Sequence, residues 1–202
     1  MSDELEVHLS AGRTQDDPAF YFDFAQPASY LVAERILQLM PGPVEWVPVS
    51  GAALGVAPAV LGEAERGALE RTGAERGLQS FVWPQPLPFD SSLALRAATY
   101  AKGIGRVVAF SLAALRQCYA AGRSLEEPDN VLIAASACEM HPTAVLKGCA
   151  LRATQSALDA AAELARSRGV VDLPAVYVPG AGVFHGDAEL GLAARELEAI
   201  AR

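Results

Sequence analysis

The sequence predicts an α/β fold in which a β-α-β unit and a closing α-β-β-α unit flank an inserted all-helical subdomain. Three observations carry that expectation. An aromatic run, Ala19-Phe20-Tyr21-Phe22-Asp23-Phe24, is followed by an amphipathic stretch and then by a second apolar run, Val44 to Val49. Residues 51–150 show helical patterns and turn signals, not strand-like runs. A long helical stripe then leads into Ala175-Val176-Tyr177-Val178, a glycine turn and a last amphipathic helix.

The aromatic run is too short for a helix and rich in residues that suit a buried strand. Gln26-Pro27 breaks it. Proline suits a first helical position, and Val32, Ile36, Leu39 and Met40 recur at helical spacing, so a helix is predicted from Pro27 to about Met40. Pro41-Gly42-Pro43 stops that helix. Val44 to Val49 is the second strand, parallel to the first through a right-handed crossover. The segment 51–77 is rich in Ala, Gly and Glu and precedes Trp83-Pro84-Gln85-Pro86-Leu87-Pro88, which reads either as a cleft wall or as a rigid connector. From Ser91 onward, helices are predicted between breaks at Gly103/Gly105, Gly122, Pro128 and Pro142. Leu151, Gln155, Leu158, Ala162 and Ala165 form one stripe of a longer helix that closes at Arg166-Ser167-Arg168-Gly169. A hairpin follows Leu173-Pro174, with its turn at Pro179-Gly180-Ala181-Gly182. The final helix has Leu190, Ala193, Ala194, Leu197 and Ile200 on one face, with Asp187 and Glu189 near its start. These elements divide the chain into an acidic tail (1–18), an α/β domain (19–50 and 151–202) and the helical insertion (51–150).

The chain has 202 residues, 16 Lys and Arg against 24 Asp and Glu, and a formal net charge of −8. That charge repels a phosphate backbone and an anionic membrane surface, so neither nucleic acid nor membrane is an expected partner. No apolar stretch reaches the ~18 residues of a membrane span, and the opening residues lack a signal-peptide core. A cytoplasmic location is expected. Cys118, Cys138 and Cys149 match neither a disulfide framework nor a CxxC pair and are expected to pack as small apolar residues. No His, Cys and Asp ligands cluster at metal-binding spacing, so no metal is expected. His141 reads as a turn residue and His185 as a packing residue beside the hairpin. Gly180-Ala181-Gly182 with Gly186 lacks G-x-G-x-x-G spacing and reads as a hairpin turn.

Three sequence words add to this. Phe20-Tyr21-Phe22-Asp23-Phe24 with Pro27 and Ser29-Tyr30-Leu31, Trp83-Pro84-x-Pro86 leading to Ala94-Leu95-Arg96-Ala97, and Arg168-Gly169-Val170 with Leu173-Pro174 together span most of the chain. In them the sequence resembles the 2-hydroxychromene-2-carboxylate isomerases, relatives of kappa-class glutathione transferases and of DsbA-type proteins, all of thioredoxin-like fold. The resemblance implies a cis Leu173-Pro174 bond facing the tip of the first helix and a homodimer. It also implies a small-molecule substrate of aromatic type, with glutathione as cofactor. The implied chemistry is cis–trans isomerisation, in which a glutathione thiolate adds to the substrate, a single bond rotates and elimination returns the thiol. A helix N-terminus favours the thiolate, since a free thiol has a pKa of ~8.5.

The implied catalytic positions are Gln26 and Ser29; the implied glutathione contacts are Gln26, Leu173, Pro174, Gly186 and Asp187. Two of these positions differ from the resembled pattern. Gln26 stands where the thiolate-contacting serine precedes the proline, and Gly186-Asp187-Ala188-Glu189 stands where G-x-D-R is usual. Where dithiol oxidoreductases of this fold read C-P-x-C, the chain reads Gln26-Pro27-Ala28-Ser29, which excludes dithiol chemistry there. Two functions follow: a glutathione-dependent isomerase, or a catalytically degenerate protein that binds another small ligand or a protein partner in the same cleft.

Overall fold

The computed structural model describes residues 17–200, so the acidic tail lies, but for Asp17 and Pro18, outside the described residues. The first strand, β1 (Ala19–Phe22), pairs in parallel with β2 (Glu45–Pro48), joined through helix α1 (Ala28–Leu39). β1 also pairs antiparallel with β3 (Ala175–Val178), which turns into β4 (Gly182–His185), giving the sheet order β2-β1-β3-β4. This is the predicted β-α-β and hairpin arrangement, brought into one sheet by pairing across the whole chain.

Strand periodicity assigns β1 to two cores. Phe20 and Phe22 point to one face, where their rings stack at 5.0 Å and Trp46 meets Phe20 edge-on at 5.0 Å. Helix α1 packs here, as do α4 (Ser92–Gly103), α5 (Val107–Tyr119) and the last helix, α9 (Leu190–Ile200). The helices α6 (Pro128–Ser136) and α7 (Pro142–Cys149) extend the same core outward. Ala19 and Tyr21 point the other way, into a smaller core with Val47, Val49 and Leu173. That face is covered by the short α2 (Gly51–Leu54) and by α8 (Arg152–Ser167). One further helix, α3 (Glu63–Glu75), lies at the periphery with only Gly73 buried.

The proline signals place two helices well: Pro128 and Pro142 each occupy a first-turn position, where a missing N–H costs nothing. His141 departs from its turn reading, because its Nδ1 accepts the Thr143 N–H at 3.3 Å and caps α7. The stripe of α8 is also corrected. Leu151 is 54% exposed and Gln155 is exposed; the buried face is Thr154, Leu158, Ala162 and Ala165. Thr154 sets that face by donating its hydroxyl to the Gly148 carbonyl at 2.7 Å, which turns Leu151 outward. Leu39 and Ile200, each near the end of its helix, are likewise exposed. All three cysteines are buried as expected, and burial pushes the Cys118 thiol up to about 12. The peptide bonds before Pro86, Pro88 and Pro174 are cis.

Two glycines test this packing. A Cβ on Gly148 would lie 2.3 Å from the ring of Tyr100, whereas one on Gly103 meets nothing within 4 Å. Gly148→Ala is expected to lower the urea unfolding free energy by about 1–3 kcal/mol through overpacking. Gly103→Ala should leave it unchanged or slightly raised.

Candidate functional site

The site is built where the chain leaves β1. Asp23 is only 5% exposed, and burying a carboxylate is tolerable only if its oxygens are hydrogen-bonded. The Ala25 N–H donates to Oδ1 at 2.9 Å, the Gly51 N–H to Oδ2 at 2.8 Å and the Ser91 hydroxyl to Oδ1 at 2.6 Å. One side chain thus ties the end of β1 to the starts of α2 and α4. Burial pushes its pKa upward, with neighbouring Asp90 adding to the rise, while the three hydrogen bonds pull the other way. Beside it, the buried Tyr119 hydroxyl donates to the Phe24 carbonyl at 2.7 Å. The turn is therefore held from both sides.

This turn delivers Gln26 and Pro27 to the tip of α1, whose N-cap, Pro27, provides no side-chain cap. Gln26 Nε2 donates to the Ala57 carbonyl at 3.1 Å, so the amide reaches across to the loop after α2. Ser29 is fully buried, and its Oγ has no hydrogen-bond partner among the described residues. A pocket of about 190 Å³ opens beside Gln26. Its polar lining is Asp23, Gln26, Ser50, Asp90, Ser91 and Ser92; Val56, Pro58, Pro88 and Phe89 form apolar walls. Two carboxylates line this pocket and no Lys or Arg does. Asp90 accepts the Ser92 N–H at 2.8 Å as well as the Ser92 hydroxyl, and these bonds hold its carboxyl below the usual range.

The other implied positions lie apart from that pocket. Leu173 packs into the smaller core near Gly51, and its N–H donates to the Asp172 carboxylate at 2.8 Å. The carbonyl of Pro174 accepts the Gly186 N–H at 2.8 Å, so these two meet at the root of the hairpin. Asp187 is ion-paired to Arg35 of α1 at 2.8 Å and also to Arg76, which follows α3. His185 Nε2 accepts the Val171 N–H at 3.4 Å, a contact that suits a packing role. Trp83 lines a separate groove on α3, stacks on Phe81 and donates its indole N–H to Glu70 at 2.6 Å. Pro88, from the same proline cluster, reaches the pocket beside Gln26.

Sequence reasoning passed over Asp23 and Ser91 as site residues, along with the two arginines on Asp187. The signal for Asp23 was present: an acid inside a run of buried aromatic residues needs donors from elsewhere.

No protein-family profile and no curated protein sequence matches the chain. Solved structures do. A 2-hydroxychromene-2-carboxylate isomerase is similar at 16% identity and a TM-score of 0.77, over 92% of this chain and 96% of that one. A probable DsbA oxidoreductase from Streptomyces coelicolor is similar at 19% identity and a TM-score of 0.69, over 91% and 88% of the two chains. The chain has the DsbA-type thioredoxin fold. The cytosolic disulfide reductase DsbM from Pseudomonas aeruginosa, in its structure with GSH, shares that fold at 15% identity and a TM-score of 0.61, over 92% of this chain and 96% of that one. Within the DsbA-type fold, this chain carries Gln26 and the buried Ser29 at the helix tip, and its three cysteines lie in the helical segment.

Two outcomes follow from the site's electrostatics. The folded state holds the Asp23 proton more tightly than the unfolded chain does. Its contribution to stability is therefore complete below the ordinary carboxyl value of 3.8 and is lost as pH rises through its raised folded value. Urea unfolding of Asp23→Ala between about pH 4 and 8 should show a shallower decline with pH than the parent chain. The variant should also be about 1–3 kcal/mol less stable, because three donors lose their acceptor. Separately, iodoacetamide at neutral pH should leave Cys118 unmodified in the folded protein and alkylate it in urea, read by mass spectrometry.

Proposed function

We propose that this chain is a non-redox protein of the DsbA-type fold that binds a small neutral or positively charged molecule in the pocket beside Gln26. The lining of that pocket carries the reading: two carboxylates, three serine hydroxyls and one amide converge there with no basic side chain. A carboxylate or thiolate entering it would meet like charge with no basic side chain in the lining to offset it. A hydroxyl or ammonium group would find acceptors in Asp90, in Ser50 and Ser92, and in the amide oxygen of Gln26. The apolar walls suit a short hydrocarbon or ring portion.

Glutathione fits the implied contacts poorly as they stand. Gln26 Nε2 is committed to Ala57, the Leu173 N–H to Asp172, and Asp187 to two arginines. Each would have to release an intramolecular partner before meeting the tripeptide. A second reading, glutathione-dependent isomerisation of the 2-hydroxychromene-2-carboxylate type, is supported by the likeness to that isomerase along nearly the whole chain. In that reading glutathione supplies the adding and departing thiolate, and this chain's share is to position it and to exclude water. A cytoplasmic homodimer belongs to the same family-based proposal, and sedimentation as a single 21.2 kDa species would remove the dimer.

Calorimetry separates the two readings. Glutathione at millimolar concentration is expected to give no binding heat, and Gln26→Ser with Ala188→Asp should stay silent, because Asp172, Arg35 and Arg76 remain in place. A saturable heat with the parent chain would establish the isomerase reading instead. In amide NMR spectra, ethanolamine should shift Ala25, Gln26, Gly51 and Ser92, and acetate should leave them unmoved. The reverse pattern refutes the acidic-pocket reading.

A further inference from the structure

A second concave surface lies away from Gln26, where α4, α7 and the start of α8 meet in a groove of about 390 Å³. Leu93, Arg96, Leu146, Cys149, Leu151 and Arg152 line it. Its charge is opposite to that of the first pocket. Several arginines of this acidic chain are ion-paired: Arg35 and Arg76 with Asp187, Arg106 with Glu139, Arg116 with Glu34 and Arg166 with Glu163. Arg96 and Arg152 form no ion pair or hydrogen bond among the described residues, and both line this groove. No carboxylate lines it.

The surrounding charges leave that surplus in place. Asp90 is held low chiefly by its bonds to Ser92, with the charge of Arg96 a smaller contribution. Asp159, one turn along α8, accepts the Gln155 amide at 2.8 Å. Arg96 also faces Cys149, whose thiol is raised by burial and only partly drawn back by that guanidinium. The apolar component is equally plain: Leu146 is 45% and Leu151 54% exposed, and both line the same groove as the two arginines. Leu151 is the N-cap of α8 and offers no side-chain cap, so the positive end of a 16-residue helix adds to the field.

We infer that this junction of α4, α7 and α8 is a second binding site, which takes a small amphipathic carboxylate. A guanidinium fork matches a carboxylate with two parallel hydrogen bonds, and here two arginines line one groove together with exposed leucines. The carboxylate sits between Arg96 and Arg152 while a short alkyl chain covers Leu146 and Leu151. Each exposed leucine that becomes covered adds favourable apolar burial. The groove shares no lining residue with the pocket beside Gln26.

Octanoate, 1-octanol and octylamine share one chain length and differ in head-group charge. Titrated into the full chain, octanoate should bind with shifts centred on the amides of Cys149, Ala150, Leu151 and Arg152. Octanol should bind about tenfold more weakly and octylamine more weakly still. Arg152→Gln, a change on an exposed side chain, should weaken octanoate about tenfold and leave octanol unchanged. Arg96→Gln should do the same, with an unaltered circular dichroism spectrum. Equal affinity for octanoate and octanol overturns the proposal, as do shifts confined to the Gln26 region. A dimer that Leu151→Glu dissociates also overturns it, since a second copy of the chain would then occupy the groove.

Discussion

The site depends on one buried carboxylate. Asp23 leaves water at the end of a central strand, and its burial is tolerable because three donors from separate parts of the chain meet it. Those donors set the position of the turn that carries Gln26 and Pro27, the start of α2 and the first residue before α4. The walls of the Gln26 pocket are the segments that Asp23 gathers. A neutral aliphatic residue there would leave the same strand but would free the three segments from one another.

Much of the fold was legible because its signals are local. Aromatic β1, the helix between Pro27 and Pro41, the proline-started helices and the hairpin all depend on residues close in sequence, and each forms within a residue or two of its expected bounds. The burial face of α8 was less legible. Leu151 belongs to the helical pattern by spacing, yet the helix begins one residue later and Thr154 fixes its rotation through a bond to Gly148. Local periodicity cannot report that contact.

The site was legible in its outline and not in its chemistry. Gln26 could be placed at the helix tip from the residues around it, and it stands there. What Asp23, Asp187 and Leu173 touch is decided across long stretches of chain. Ser91 reaches Asp23 over 68 residues and Arg35 reaches Asp187 over 152. An isolated acid in a sequence does not disclose whether it faces a ligand, a cation or a backbone amide. Here Asp23 serves backbone and serine donors and Asp187 serves two arginines.

The hairpin has a consequence for how copies of this molecule behave near one another. Because the Gly186 N–H bonds to Pro174, the neighbouring His185 N–H points away from β3, along the open margin of the sheet. Such a margin is a template on which a foreign strand can add. Glu189 reaches back and takes that N–H at 2.7 Å, placing a negative charge on the rim as it does so. The residue immediately before α9 thus blunts the edge against runaway strand-to-strand polymerisation.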